Sequence, residues 1–252
     1  MKNLKVCNVF LLAITGLLWV GQLQASIVNL DANTTVSISR LTNSQFQPVD
    51  PSLWSISNLF QIGAPLNLHL SYDSNAQISN QFQFPDVVDV ATYDSAIKSV
   101  SIDSGDFNVV SNSGEIQLTD GNPAAGWTDE IHMGTTEPLQ FDYMGESYAV
   151  VASGIGMYDQ SATLLNNLNL PSDKAIFDSF LTNPNGYSLV FLSIVKMPVD
   201  NENWMSNGWY DVYGFLNVEN VSIANVSEPS TMFLALCGLF GLVLRRIAKN
   251  QA

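Results

Sequence analysis

Apolar and polar residues alternate along most of the middle of this chain. The stretch PLNLHLSYD sets Leu66, Leu68, Leu70 and Tyr72 on one side and Asn67, His69 and Ser71 on the other, the two-residue period of a strand with one buried face. SYAVVASGIGMY (Ser147 to Tyr158), YSLVFLSIVK (Tyr187 to Lys196), LQFDYMG (Leu139 to Gly145) and WYDVYGFLNVENVSIANV (Trp209 to Val226) follow the same rule. Turn formers separate them: DSGD at Asp103 to Asp106, NSGE at Asn112 to Glu115, DGNPAAG at Asp120 to Gly126 and NPNG at Asn183 to Gly186. Short strands with closely spaced turns predict an all-β fold, an antiparallel β-sandwich of jelly-roll-like form. One segment departs from alternation. PSDKAIFDSFL opens on Pro171 and Ser172 and puts Ile176, Phe177 and Phe180 at helical spacing, predicting a single short helix.

The two ends of the chain do not alternate. Lys2 and Lys5 precede an apolar run from Val9 to Val20, and GQLQAS follows with a small residue, Ala25, before Ser26. Charge, short apolar run and small-residue cut site are the parts of a secretory signal peptide over residues 1–25, cleaved between Ala25 and Ser26. The alternative, an N-terminal membrane helix, fits less well, because the run is short and polar residues follow at once. At the other end Thr231 to Leu244 is apolar for 14 residues and stops at Arg245 and Arg246. As a helix it would cover roughly 21 Å of a hydrocarbon layer about 30 Å thick. That is short for a lasting span. The arginines mark its cytoplasmic side, so residues 26–226 are expected outside the cytoplasm as one domain, with Ser222 to Glu228 read as a short tether to the membrane segment 231–244.

Charge and cysteine usage narrow the chemistry. Of 23 acidic residues 22 lie between Ser26 and Val226, against four of the nine basic ones, Arg40, Lys98, Lys174 and Lys196, so this segment carries a net charge of −18. Such a surface repels nucleic acid and anionic lipid, and is compatible with divalent cations or neutral polysaccharide. The two cysteines, Cys7 and Cys237, fall in the terminal runs, leaving the exported part without disulfide or thiol chemistry.

No catalytic motif stands out. His69 sits on the polar side of its strand, and His132 in DEIHM lacks the second histidine of a helical zinc motif. No serine lies in a strand–turn–helix elbow. Paired carboxylates for glycoside hydrolysis are a matter of separation in space, about 5 to 10 Å, which 22 acids do not specify. Loop oxygens suggest a structural Ca²⁺, with Asp103, Asp106, Asp120, Asp129 and Glu130 as candidate ligands, although none of these loops has the spacing of a calcium-binding hand and Asp and Asn also simply make turns. In NENWMSNGWYDVYGF, Trp209, Tyr213 and Phe215 share a strand face and are assigned to the core, whereas Trp204, in a polar loop, is the candidate for contact with a glycan.

The C-terminal segment carries a resemblance. Glu228, Pro229, Ser230 and Thr231, then an apolar run with Gly238 and Gly241, then Arg245 and Arg246, preceded by Ser227 where a first proline is usual, resemble the PEP-CTERM sorting signal of exported proteins of Gram-negative bacteria. The resemblance implies recognition by an exosortase, which would cut near Ser227 to Thr231 after signal peptidase has acted at the other end, and an association with exopolysaccharide. A second similarity covers FQIGAPLNLHLSYDS, the segment from Tyr93 to Asn122 and DEIHM, and is to a β-rich module common among such proteins, with which no catalytic residues travel. The expectation is an exported, membrane-anchored precursor that ends at the cell surface or in the matrix. Its sandwich domain is read as a non-enzymatic interaction or structural module, without a cofactor other than the Ca²⁺ considered above. A carbohydrate-binding module built around Trp204 and a glycoside-active enzyme are the alternatives.

Overall fold

The computed structural model describes residues 26–197 and 208–227, and contacts along the chain separate Ile27–Asn225 as one compact unit from the chain ends. The signal segment with Ala25, the membrane segment 231–244, the sorting residues Glu228, Pro229, Ser230, Thr231, Arg245 and Arg246, and Trp204 all lie outside the described residues. Among the described residues no helix is long and apolar enough to cross a membrane.

Among the described residues fifteen strands, numbered in chain order, form two sheets. The five-stranded sheet runs β15 (Val221–Ser227), β1 (Ser26–Thr35), β4 (Pro65–Asp73), β7 (Ile97–Ser104), β8 (Phe107–Ser111). The ten-stranded sheet runs β3 (Pro48–Val49), β2 (Ile38–Thr42), β14 (Trp209–Phe215), β13 (Gly186–Lys196), β12 (Glu146–Asp159), β10 (Asp129–Thr135), β9 (Glu115–Gly121), β6 (Val88–Tyr93), β5 (Asn80–Phe84), with β11 (Leu139–Tyr143) paired to the first half of β12. Neighbours such as β1 and β4 or β12 and β13 are antiparallel. The predicted period is visible in β4, where Leu66, Leu68, Leu70 and Tyr72 are buried and Asn67, His69 and Ser71 point away.

The two inner faces meet in one core. Val28 and Leu30 of β1 and Leu66, Leu68 and Leu70 of β4 join Ile155 and Met157 of β12, Val190, Leu192 and Ile194 of β13, and Tyr210 and Val212 of β14, all buried. Each such aliphatic side chain contributes about 1.5–3 kcal/mol relative to an exposed one. The arrangement is a β-sandwich-like fold. The helix α1 (Lys174–Thr182) buries Phe177 and Phe180, as their spacing predicts. Its cap is Asp173, whose side chain accepts from the Ala175 N–H, so Pro171 and Ser172 precede the helix rather than start it. The carbonyl of Pro171 instead takes the buried Tyr72 hydroxyl at 2.6 Å.

Two expectations about the last segment change. The run from Trp209 to Val226 is not one strand: a 3-10 turn at Val218–Asn220, closed by reciprocal Asn217 and Asn220 side-chain bonds, divides β14 from β15 and moves the chain to the other sheet. The stretch read as a tether is therefore strand through Ser227. Its start is pinned to β1 by Asn220 Nδ2 on the Asn33 carbonyl (2.9 Å) and Ser222 Oγ on Asp31 (3.5 Å).

Candidate functional site

Strand β14 lies inside the ten-stranded sheet, and its phase decides which side chains face water. Tyr210 and Val212 point into the core, so Trp209, Asp211, Tyr213 and Phe215 share the outer face. This corrects the assignment of Trp209, Tyr213 and Phe215 to the core: Phe215 is 47% exposed, and Trp209 and Tyr213 are partly exposed. The physical reason is that both sides of WYDVYGF are apolar enough to be buried, and packing against Phe60, 6.2 Å from the Tyr210 ring, goes to Tyr210.

Cross-strand register lays these residues out in rows. Thr42 pairs with Trp209, Arg40 with Asp211, and Ile38 with Tyr213; on the far side Ser193 pairs with Asp211 and Phe191 with Tyr213. A polar row, Arg40–Asp211–Ser193, thus runs between two aromatic ones. Arg40 Nε donates to Asp211 Oδ2 at 3.2 Å, Ser193 Oγ donates to Asp211 Oδ1 at 2.7 Å, and the Arg40 guanidinium stands 5.7 Å from the Tyr213 ring centroid. Burial pulls the Arg40 pKa down, but Asp211 and Tyr213 outweigh it, so it lies above the ordinary arginine value and Arg40 stays charged. Burial, then the charge on Asp211, pushes the Tyr213 hydroxyl up.

Three local features turn this face into a pocket. The β2–β3 turn carries Phe46 in the left-handed region at φ +61°, uncommon for an aromatic residue, and the Asn43 side chain holds the turn by accepting from the Gln45 and Gln47 N–H groups. Phe46 is 58% exposed and meets Trp209 edge to face, ring centroids 4.7 Å apart. Gly208, at φ +79°, passes so close to β2 that a Cβ would stand 2.0 Å from the Thr42 carbonyl, which sets Trp209 at the pocket wall. On the opposite rim β12 has a bulge: Val150 pairs with Ile194 and Ala152 with Ser193, leaving Val151 as an extra residue. The resulting half-open pocket, about 580 Å³, is lined by Arg40, Phe46, Val151, Ser193, Trp209, Asp211 and Tyr213 among others.

The proposed calcium ligands are not brought together. Among the described residues no group of three or more acidic, histidine or cysteine side chains is arranged to hold a metal. Asp103 lies on the outer face of the five-stranded sheet and accepts from Asn67 Nδ2 at 2.8 Å, Asp106 lies in the β7–β8 turn, and Glu130 accepts from Thr128 Oγ1 at 2.6 Å. Asp129 is buried, with its oxygens taken by the N–H groups of Gly121, Leu164 and Leu165. Burial raises the Asp120 carboxyl, with Asp129 and Asp89 adding to the effect. Of these acids, Asp129 holds the loop after β12 through Leu164 and Leu165.

Neither histidine is placed as the base of a nucleophile. His69 Nδ1 is 2.6 Å from Asp31 and its Nε2 is 3.6 Å from Asp103, on a flat exposed face. His132 Nε2 meets the Tyr158 hydroxyl at 2.5 Å, and burial lowers its pKa, so it is neutral at pH 7. A second cavity of about 630 Å³ lies beside Glu146, but that carboxylate is already taken by Lys196, Tyr148 and Ser55. Comparison with protein-family models, curated proteins and solved structures finds no match.

Proposed function

We propose that the chain is an exported surface or matrix protein, sorted by an exosortase through its C-terminal signal, whose β-sandwich is a non-catalytic interaction module. The carrying observation is the aromatic pocket on an outer sheet face, a place where a sandwich of this kind would ordinarily present polar side chains to water. The position of the ends agrees with the sorting part. Asp31 meets Ser222 and Asn33 meets Asn220, so β1 and β15 run in opposite directions side by side. The beginning of the first strand and the end of the last therefore lie at the same end of the sheet, on neighbouring strands. In this reading β1, flanked by β15 and β4 while β2 joins the other sheet, starts a jelly-roll-like winding.

The pocket favours carbohydrate binding as the form the interaction takes, with Arg40, Asp211 and Trp209 as its contacts. Sorting has its own test. Mass spectrometry of exported protein is expected to find molecules that lack the peptide LVLRRIAKNQA. Finding that peptide on most exported molecules overturns processing and leaves a plain anchor.

A further inference from the structure

The pocket over β2, β14, β13 and β12 has a composition that selects among ligands. Its walls are flat and apolar, Trp209 and Phe46 on one side and Tyr213 on the other, while a donor and an acceptor, Arg40 and Asp211, lie side by side on its floor. Asp211 is only 5% exposed; each of its oxygens accepts one protein hydrogen bond, from Ser193 and from Arg40, and a carboxylate oxygen has a second lone pair to offer. Arg40 uses Nε on Asp211 and also bonds the Tyr213 hydroxyl, and the five N–H donors of its fork exceed these two uses. Donor and acceptor face each other at one register position of neighbouring strands, between aromatic faces. That is the complement of a ring with an apolar C–H face and adjacent hydroxyls on its rim.

Charge then narrows the class. Arg40 and Asp211 neutralise one another, so the pocket itself presents no net charge, and the domain around it carries −18. An anionic sugar would meet that field at every approach. A free cation would compete with Arg40 for Asp211. Size argues against a folded protein as the occupant: about 580 Å³ holds a small ligand, whereas a stable protein contact buries about 800 Å² on each side. Strain points the same way, since Phe46 is held in the left-handed region at the one place where its ring closes the wall against Trp209.

We propose that this pocket is a subsite for a neutral pyranose residue of an uncharged polysaccharide, with Trp209 stacking on the ring, Phe46, set edge to face against Trp209, closing the wall beside it, and Arg40 and Asp211 hydrogen-bonding its hydroxyls. The proposal rests on the interaction-module reading and names its ligand. The test uses the full-length chain in a detergent without a sugar headgroup, against immobilised neutral gluco-, galacto- and manno-oligosaccharides and against oligogalacturonate as the acidic counterpart. At least one neutral oligosaccharide retains the protein and oligogalacturonate does not. Phe46→Ala, at a side chain 58% exposed on the β2–β3 turn, weakens retention about tenfold, as does Trp209→Ala, the loss expected for one aromatic contact. Tyr187→Ala, on the same sheet face but outside the pocket, leaves retention within about twofold.

Three results each overturn the assignment: no retention on any neutral oligosaccharide, retention on oligogalacturonate alone, or wild-type retention by Phe46→Ala. Capture of a protein partner without any oligosaccharide binding belongs with the first of these. None of them touches the sorting reading, which stands or falls on the C-terminal peptide in exported protein.

Discussion

The two outer faces of the sandwich differ in kind. On the five-stranded sheet the outward rows are Ser222, Asp31, His69, Ser101 and the exposed Val110, then Asn33, Asn67, Asp103 and Asn108, then Asn29, Ser71 and Ser99, polar but for that valine. These polar side chains bond sideways to one another, Asp31 to His69 and Asp103 to Asn67. On the ten-stranded sheet the outward residues over β14, β13, β12 and β10 include Trp209, Tyr213, Phe215, Phe191, Tyr187, Tyr158 and His132, several in ring contact, such as Tyr158 with Tyr187 at 4.5 Å. A polar outer face costs little to keep in water. An aromatic one is kept at some cost in solubility, and the pocket lies at its end. The contrast extends to the acids. Those of the small sheet are exposed on a flat surface, whereas Asp129, Asp159, Asp211 and Glu146 of the large sheet are each enclosed by donors.

The largest effect of that difference is expected at Asp129. Its carboxylate is 0% exposed and receives three backbone N–H groups, two of them from Leu164 and Leu165 in the loop after β12. Asp129→Ala strands those donors in a buried place, at about 1–3 kcal/mol each where they find no water. A loss of about 3 kcal/mol or more, or roughly 6–12 °C in Tm for a domain of this size, should appear in thermal unfolding followed by circular dichroism. A drop of under about 2 °C would mean that the loop re-forms without the carboxylate and that the acids of the two sheets are not so different.

Acid should separate the sheets next. Lys196, then Tyr148 and Ser55, hold the Glu146 carboxyl down at about 2 from its ordinary 4.5. Burial alone would raise Asp159, but the hydroxyl and N–H of Ser161 and the N–H of Thr163 bring it to about 2 from 3.8. Both carboxyls are lowered by folding, so their contribution is fully present above the unfolded values and is lost as pH falls through about 4.5 towards 2. Asp129 and Asp120 have the opposite sign, their carboxyls being raised chiefly by burial, so they give stability back as the pH falls from their folded values towards 3.8. The two lowered acids decide the net slope. Tm should fall between pH 4.5 and 2, and Glu146→Gln should start lower and fall less steeply. Parallel curves for the variant and the wild type would remove Glu146 from the account.

How much of this was legible in the sequence depends on the contrast between the two sides of each strand. Strand β4 was legible because Asn67, His69 and Ser71 cannot share the core with leucines, so only one phase is allowed. Strand β14 was not, because Trp209 and Tyr213 on one side and Tyr210 and Val212 on the other are all residues a core accepts. Alternation fixes that two faces exist, while the opposite sheet chooses between them. A strand fit for burial on both sides is also one that leaves aromatic side chains on an outer face, as β14 does. The fit between Asp129 and the loop residues Leu164 and Leu165 left no trace, since groups 35 and 36 positions apart are joined only by the closing of the sheet. The cap at Asp173 could have been found, as an acid that precedes the first turn of PSDKAIFDSFL.

The finest comparison sets one acid from each face against the other. Asp211 and Asp31 both sit in the middle of a strand, both face outward, and both pair with a basic side chain across the neighbouring strand, Arg40 at 3.2 Å and His69 at 2.6 Å. Only the surroundings differ: the Asp211 side chain is 8% exposed and that of Asp31 is 44% exposed. With water at hand, His69 and Ser222 replace Asp31 easily, so Asp31→Ala should change stability by no more than about 0.5 kcal/mol. Asp211→Ala leaves the Ser193 hydroxyl and Arg40 Nε unpaired under an aromatic wall, and about 1–2 kcal/mol is expected. Urea unfolding of the two variants side by side reads the difference, provided the slope against urea is unchanged. If the two losses agree within error, the pocket floor is as open to solvent as the polar face, and Asp211 is then no better placed to receive a sugar hydroxyl than any surface aspartate.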